Sequence, residues 1–259
     1  IMIHTNGSHP HLKETQTNDF KLPYLYQQKE LNKTYGLDRV AFLWQMRLGK
    51  TPTTYWWLTK RRDPPKRTLI ICPKSVIVSW KEELESFNQP FVIFSSSADS
   101  FEFQERLAQF PMWAIVNYEA LLSKKSKLHE QYWDAIVLDE SHKIRNPKPQ
   151  ITNLLLGETN FPSERETQLR AILTGTPNPE SYLELFCQCK FLFGNAFGYN
   201  DYYKFRFDKF YPDPEKQGRY LPYDWFLPEL AAYLDRFTNI LTRSQVGVDL
   251  PNVYKKRFV

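Results

Sequence analysis

Val40-Ala41-Phe42-Leu43-Trp44-Gln45-Met46-Arg47-Leu48-Gly49-Lys50-Thr51 runs from a continuous apolar stretch into a glycine, a lysine and a hydroxyl. An apolar run of strand length without alternation is what a strand buried on both faces of a parallel sheet requires. Its ending matches the end of a phosphate-binding loop. There, backbone amides at a helix N-terminus surround the phosphates, a lysine reaches the β and γ phosphates, and a hydroxyl ligates magnesium. Lys50 and Thr51 suit the last two roles. The match is partial, because the GxxxxGK pattern puts glycine where this chain has Trp44.

Working outward, further apolar runs of strand length occupy residues 68–72, 91–94, 112–116, 135–138 and 171–173. Helix-like stretches separate them at 51–60, 75–87, 101–110 and 150–156, the second with Val76, Ile77, Trp80, Leu84 and Phe87 on one face. Upstream, residues 24–35 have loosely helical apolar spacing that closes at Gly36. This alternation predicts a doubly wound α/β fold with a mostly parallel sheet between two helical layers. Past Phe193 the pattern changes. Residues 194–223 are rich in Tyr, Phe, Asp and Pro without a clean strand, and a helix-like stretch covers 228–241. The expected organisation is a flexible extension at 1–19, a nucleotide-binding lobe at 20–193 and an irregular, partly helical extension at 194–259.

Composition sets outer limits. With 259 residues, 42% apolar residues and 34 Lys plus Arg against 29 Asp plus Glu, the chain is neither disordered, collagenous nor coiled coil. A net charge of +5 permits nucleic acid as a partner without arguing for it. Aromatic residues at 16% against 9 glycines predict a core packed largely by rings. The odd cysteine count, Cys72, Cys187 and Cys189, favours a reducing, intracellular setting. Cys187 and Cys189, two apart on a helix, point different ways and cannot chelate together. No apolar run of about 18 residues is present, so no membrane span is expected. The basic clusters Lys60-Arg61-Arg62, Lys66-Arg67 and Lys124-Lys125-Ser126-Lys127 read as solvated turns, and His4, His9 and His11 as part of a frayed terminus.

Ala135-Ile136-Val137-Leu138-Asp139-Glu140 delivers two adjacent carboxylates at the end of a strand, the ligand-bearing edge of an α/β sheet. An aspartate there can hold Mg2+ while the next glutamate orients and deprotonates water. An acidic helix start looks the same in sequence; the strand-Gly-Lys-Thr-helix unit upstream favours a single nucleotide site. Ala171-Ile172-Leu173-Thr174-Gly175-Thr176-Pro177 is another strand ending in hydroxyls, or a plain tight turn. Cys72-Pro73-Lys74-Ser75 opens a helix with a lysine and a serine, which suits a nucleic-acid phosphate or an ordinary cap.

In order and content these segments resemble the superfamily-two helicases and, within them, the Swi/Snf-type DNA translocases. WQMRLGKT at 44–51 is similar to motif I, and LIICPKSVIVSWKEELESF at 69–87 to motif Ia. IVLDESHKIRN at 136–146 looks like motif II and AILTGTPNPESYLELF at 171–186 like motif III. LPYLYQQ at 22–28 resembles the Q-motif region, and LTRSQVGVDLP at 241–251 the arginine-bearing segment that closes the first lobe. The resemblance spans roughly residues 20–259. It implies a first RecA-like lobe whose motif III strand lies between the phosphate-loop strand and the Asp139-Glu140 strand. It also implies ATP and Mg2+ as cofactors. Gln27 would read adenine, Arg47, Leu48, Gly49, Lys50 and Thr51 would line the nucleotide, and Thr51 and Asp139 would hold the metal. Glu140 would activate water, with Lys50 and Asp139 beside it. His142, Thr174 and Thr176 would couple nucleotide state to DNA contact. Pro73, Lys74, Ser75, Asn117 and Tyr118 would track a nucleic-acid backbone. Arg145 and Asn146 match a basic residue and an asparagine after motif II, with a solvated loop equally open. The implied partners are double-stranded DNA and a second RecA-like lobe of the same full-length chain. The compact spacing between Lys50 and Asp139 resembles bacterial or bacteriophage members more than chromatin remodellers.

Two departures shape the expectation. The family's motif I reads acidic-acidic-Met-Gly-Leu-Gly-Lys-Thr, whereas this chain has Trp44, Gln45 and Arg47. If residue 47 needs positive φ, arginine there costs about 1–2 kcal/mol; alternatively, its guanidinium meets a phosphate or a carboxylate. No second α/β repeat follows residue 193. Family members take arginine fingers from that second lobe, and such a finger is worth about 10³–10⁵ in rate. The isolated chain is therefore expected to bind nucleotide weakly and turn over little. Competing readings are an RNA or single-strand helicase lobe and a nucleic-acid-binding scaffold with a decayed site, the latter opposed by intact Thr51, Asp139 and Glu140.

Overall fold

The computed structural model describes residues 22–94, 112–129, 132–156, 167–175 and 182–247. The expected helix at 101–110, the three terminal histidines and Thr176 lie outside these residues, as do the side chains of Lys124 to Lys127. The six apolar runs form strands β1 (Arg39–Trp44), β2 (Arg67–Cys72), β3 (Phe91–Phe94), β4 (Met112–Asn117), β5 (Ala135–Asp139) and β6 (Leu169–Thr174). Between and after them lie helices α1 (Leu25–Thr34), α2 (Lys50–Thr59), α3 (Ile77–Ser86), α4 (Tyr118–His129), α5 (Gln150–Leu156) and α6 (Leu185–Phe193). The chain continues through α7 (Tyr202–Lys209), β7 (Phe210–Pro212), β8 (Tyr220–Pro222), α8 (Leu227–Asp235), β9 (Thr238–Leu241) and α9 (Arg243–Val246).

One seven-stranded sheet has the order β3-β4-β2-β5-β6-β1-β9, and every pairing in it is parallel. β6 lies between β5 and β1, the placement the resemblance implied. Successive residues of each strand feed opposite cores. Ala41, Leu43, Ile71, Leu138 and Ile172 pack with Leu121, Leu155 and Phe186 on one face. Val40, Phe42, Ile70, Val137 and Leu173 pack with Trp57, Leu58, Trp80 and Leu84 on the other. Each of the Val, Leu, Ile and Phe side chains among them contributes about 1.5–3 kcal/mol on burial, so the sheet is pinned from both sides. Because all strands run the same way, the turns after β1, β2, β4, β5, β6 and β9 open along one edge.

Two expectations need correction. The helix-like stretch 228–241 is not one helix: α8 ends at Asp235, and Thr238–Leu241 pairs with β1 as the edge strand of the main sheet. Four residues hold too little periodicity to separate a strand from the end of an amphipathic helix. Likewise, 194–223 contains a strand pair. Phe210–Pro212 and Tyr220–Pro222 form an antiparallel ribbon of three residues a side, too short to show alternation. Residues on both sides of 193 thus share the sheet. Among the described residues, no helix is long and apolar enough to cross a membrane.

Candidate active site

The loop between β1 and α2 holds two residues in the left-handed region, Arg47 at φ 69° and Gly49 at φ 72°. Glycine at 49 also leaves room for Gln27 Nε2, which a Cβ there would displace. At 47 the strain foreseen for arginine is present, and its side chain is exposed. Trp44 belongs to the core and not to the exposed part of the loop. It is fully buried, its Nε1 donates to Asn239 Oδ1 at 2.7 Å, and Asn239 Nδ2 donates to Glu30 Oε2 at 2.6 Å. The Trp44 carbonyl accepts from Lys50 Nζ at 3.1 Å, which aims the lysine back along the loop. Substituting tryptophan for the pattern's glycine therefore adds to the core and leaves the loop its lysine.

β5 carries the carboxylates to the same edge. Asp139 is 4% exposed; Trp80 Nε1 donates to its Oδ2 and the Glu140 amide to its Oδ1, both at 2.8 Å. Burial pushes the Asp139 carboxyl up to about 6, the Trp80 bond pulling down and Glu140 adding to the rise. Glu140 has φ 52° at the strand end. His142 Nδ1 lies 3.2 Å from Glu140 Oε2, off the line of a hydrogen bond. That imidazole, more than any other group, holds Glu140 below the usual carboxylate value, against the effect of burial. Lys50 is lowered by burial, with Asp139 and Glu140 opposing the shift. The three charges therefore act on one another, which places the phosphate-loop lysine and the carboxylate pair in one site.

β6 closes it. Thr174 is buried at the strand end, and the backbone amide of Gly175 bonds Glu140. A Cβ at Gly175 would approach Met46 Cγ to 3.0 Å and meet Glu140 Oε1 at an ordinary 3.7 Å, so a side chain at 175 would press on the loop after β1. From the far end of the chain, Arg243 donates Nε and Nη2 to the Met46 carbonyl at 3.3 and 3.2 Å, and its amide donates to Gln45 Oε1 at 2.8 Å. Sequence reasoning identified neither this clamp nor the Trp80 bond to Asp139. The available signals were an arginine in 241–251 and a tryptophan on the buried face of α3.

The remaining expected residues divide. Gln27 is 2% exposed, with Nε2 3.4 Å from both the Leu48 and Gly49 carbonyls and Oε1 accepting from the Tyr24 amide. It braces the loop with the groups expected to face adenine. Lys74 and Ser75 are exposed at the turn after β2, and Pro73 precedes them in extended conformation. Asn117 Oδ1 accepts from the Ala120 amide at 2.6 Å, capping α4. Tyr118 corrects the expectation of a nucleic-acid contact: it is 3% exposed, and its hydroxyl donates to the Asp139 carbonyl at 2.9 Å. The ring is consumed in positioning the end of β5. Arg61 bonds the Leu37 carbonyl and the Asp38 carboxylate and covers Trp57, so that basic turn is partly structural.

A family model described as the SNF2-related domain matches residues 25–252. The chain is similar to ISW1, the ISWI chromatin-remodeling complex ATPase of Saccharomyces cerevisiae, at 28% identity over 161 residues, 59% of this chain and 14% of that protein. It is also similar to the DNA repair and recombination protein RAD54B of Gallus gallus, at 25% over 224 residues, 83% of this chain and 22% of that protein. Among solved structures, the Sulfolobus solfataricus SWI2/SNF2 ATPase core in complex with dsDNA matches with a TM-score of 0.70 and 26% identity, covering 90% of this chain and 48% of that one. The chain thus spans less than a quarter of these two relatives and about half of the solved core.

Proposed function

Because the chain belongs to the SNF2-related domain family, we propose that it is the first ATP-binding lobe of an ATP-dependent double-stranded DNA translocase. The carrying observation is that β6 sits between β5 and β1, so Asp139 and Glu140 share an edge, and an electrostatic environment, with Lys50. Lys50 would hold the β and γ phosphates and Thr51 and Asp139 the magnesium, a fit supported by a buried carboxylate whose two bonded partners are uncharged donors. Bound Mg2+ supplies neutralisation of phosphate charge. Glu140, kept ionised, orients the attacking water and accepts its proton. His142 and the Gly175 amide hold that carboxylate, so motion of the β6 turn would reach the base directly. Exposed Lys74 and Ser75 offer the nucleic-acid side of the same edge.

Arginine fingers come from a second lobe of a longer chain, and the isolated lobe is nearly inactive in hydrolysis. The dsDNA in the solved neighbour favours duplex DNA over RNA or a single strand. The core role of Trp44 removes one reason for supposing a decayed site. The test is hydrolysis by the longer chain with duplex DNA, single-stranded DNA, RNA or nothing. Duplex-selective stimulation that falls about 10²–10⁴-fold in Glu140→Gln is the expected result. In parallel, Mg2+-ATP should raise the melting temperature of the 259-residue chain but not that of Lys50→Ala. Absence of both effects would leave a binding module in its place.

A further inference from the structure

The turn that carries Glu140 is held by a helix remote from it in sequence. α6 buries seven of its nine residues, and Gln188, 3% exposed, is the one amide side chain among them. An apolar side chain would fill such a site without any demand for hydrogen bonds, whereas a buried amide must find partners at both ends. Gln188 finds them. Its Oε1 accepts from Ser141 Oγ at 2.6 Å, and its Nε2 donates to the Glu184 carbonyl, one turn back, at 3.2 Å. The second bond fixes which end of the amide faces Ser141. Ser141 is fully buried and directly follows Glu140. The bond therefore ties the turn Ser141–Ile144 to α6 across 47 residues of chain. A parallel tie, Arg145 Nη1 to Glu184 Oε1 at 3.8 Å, has an exposed arginine and is weakened by solvent.

Glu140 has φ 52° and ψ 51°, left-handed backbone that a residue with a side chain keeps only where its surroundings enforce it. The residue before it is fixed, because Trp80 donates to the Asp139 carboxylate and Tyr118 to the Asp139 carbonyl. The residue after it is fixed by Gln188. We propose that Gln188 is a positioning residue for hydrolysis: through Ser141 it holds the left-handed turn that aims the Glu140 carboxylate at the attacking water. Lys50 is aimed by the Trp44 carbonyl and Asp139 by Trp80, so nucleotide and metal are held by contacts other than this one. Release of Ser141 would let the turn relax and swing the carboxylate while the phosphate loop stays in place. A reacting group displaced by about 1 Å loses about 10²-fold in rate. The role given to Gln188 rests on the reading of Glu140 as the base.

The test is steady-state hydrolysis by the longer chain with saturating duplex DNA, for Gln188→Leu, Ser141→Ala and the two combined, each alone and together with Glu140→Gln. Gln188→Leu should lower kcat about tenfold or more and leave KM for Mg2+-ATP within about twofold. Ser141→Ala cuts the same bond from the other side and should do the same. The combined variant strands no buried donor or acceptor, so its melting temperature should return toward that of the parent while kcat stays low. In the Glu140→Gln background Gln188→Leu should cost nothing further, because a positioning residue has no effect once its target is gone. Equal losses in both backgrounds would reduce the pair to packing and overturn the role given to Gln188, while Glu140 keeps its own. So would recovery of kcat together with stability in the combined variant, a loss in only one of the two single variants, or a defect that falls on KM instead of kcat. If Glu140→Gln itself costs nothing, the base assignment fails and the role of Gln188 fails with it.

Discussion

The parallel sheet and the 194–226 segment packed on one of its faces are made of different materials. In the sheet, register is fixed by backbone ladders and the buried side chains are mostly aliphatic, so many small contacts share the load. In 194–226 the regular ladder is one three-residue ribbon, and rings do the locking. Phe205 is the hub, with Phe197, Tyr199, Phe210 and Phe226 at centroid distances of 5.1, 5.4, 5.3 and 5.9 Å, and Phe186 of α6 at 5.1 Å. A ladder tolerates the loss of one side chain. A hub does not, because five partners lose their contact together.

The sharpest way to break this comparison is Phe205→Ala. It should cost about 3–5 kcal/mol, the range for truncating a buried phenylalanine. Hydrogen exchange should rise across 194–226 while the amides of β2 and β5 stay protected, and the Mg2+-ATP thermal shift should survive. If the β5 amides loosen equally, sheet and segment form one cooperative unit and the contrast is only chemical.

A second test concerns strain stored at the sheet edge. Asp139 has a folded value of about 6, above its ordinary 3.8. Between those pH values the folded chain keeps a proton that the unfolded chain has released. Stability from this group is therefore complete below pH 4 and is lost as pH rises through 6, by about 3 kcal/mol at most. Asp139→Asn should remove that loss, although its amide group can satisfy only one of the Trp80 and Glu140 donors. The nucleotide-free variant should gain about 1–2 kcal/mol in urea melts at pH 7.5 and lose about 1–2 kcal/mol at pH 4, where only the unsatisfied donor counts. A gain independent of pH would mean that the carboxylate is already relieved of its burial cost.

What could be read in advance follows the same division. β1, β2, β4, β5 and β6 are buried on both faces, so continuous apolar runs announced them, and Lys50, Asp139 and Glu140 followed at their ends. β9 escaped because Asn239 and Thr238 interrupt its apolar character, while its role, receiving the Trp44 indole, depends on a partner 195 residues away. The Trp80 bond to Asp139 and the Arg243 clamp on Met46 span 59 and 197 residues and have no local signature. Tyr118 was assigned outward by resemblance, whereas packing turned it inward. The 194–226 segment has rings without a period, so composition predicted aromatic packing there and nothing predicted its arrangement.

The smallest effect lies in the phosphate loop, where the sheet's regularity stops and one side chain bears the strain. Arg47 sits at φ 69°, a conformation that costs an L-residue about 1–2 kcal/mol and glycine almost nothing. Glycine also frees the unfolded chain, which returns about 0.4–1 kcal/mol of the relief. Arg47→Gly should therefore stabilise the nucleotide-free protein by only about 0.5 kcal/mol, visible as a rise of a degree or two in melting temperature. Arg47→Ala, which keeps the strain and loses the guanidinium, should show no rise. The two variants separate strain from charge. If the exposed guanidinium meets a phosphate, both should bind Mg2+-ATP more weakly than the parent, even though only one is more stable. Stability and affinity would then move in opposite directions in Arg47→Gly, as expected when strain is retained for a contact made only with the ligand bound. If Arg47→Gly gains in both, the arginine contributes strain alone, and the loop would work better with the glycine it lacks.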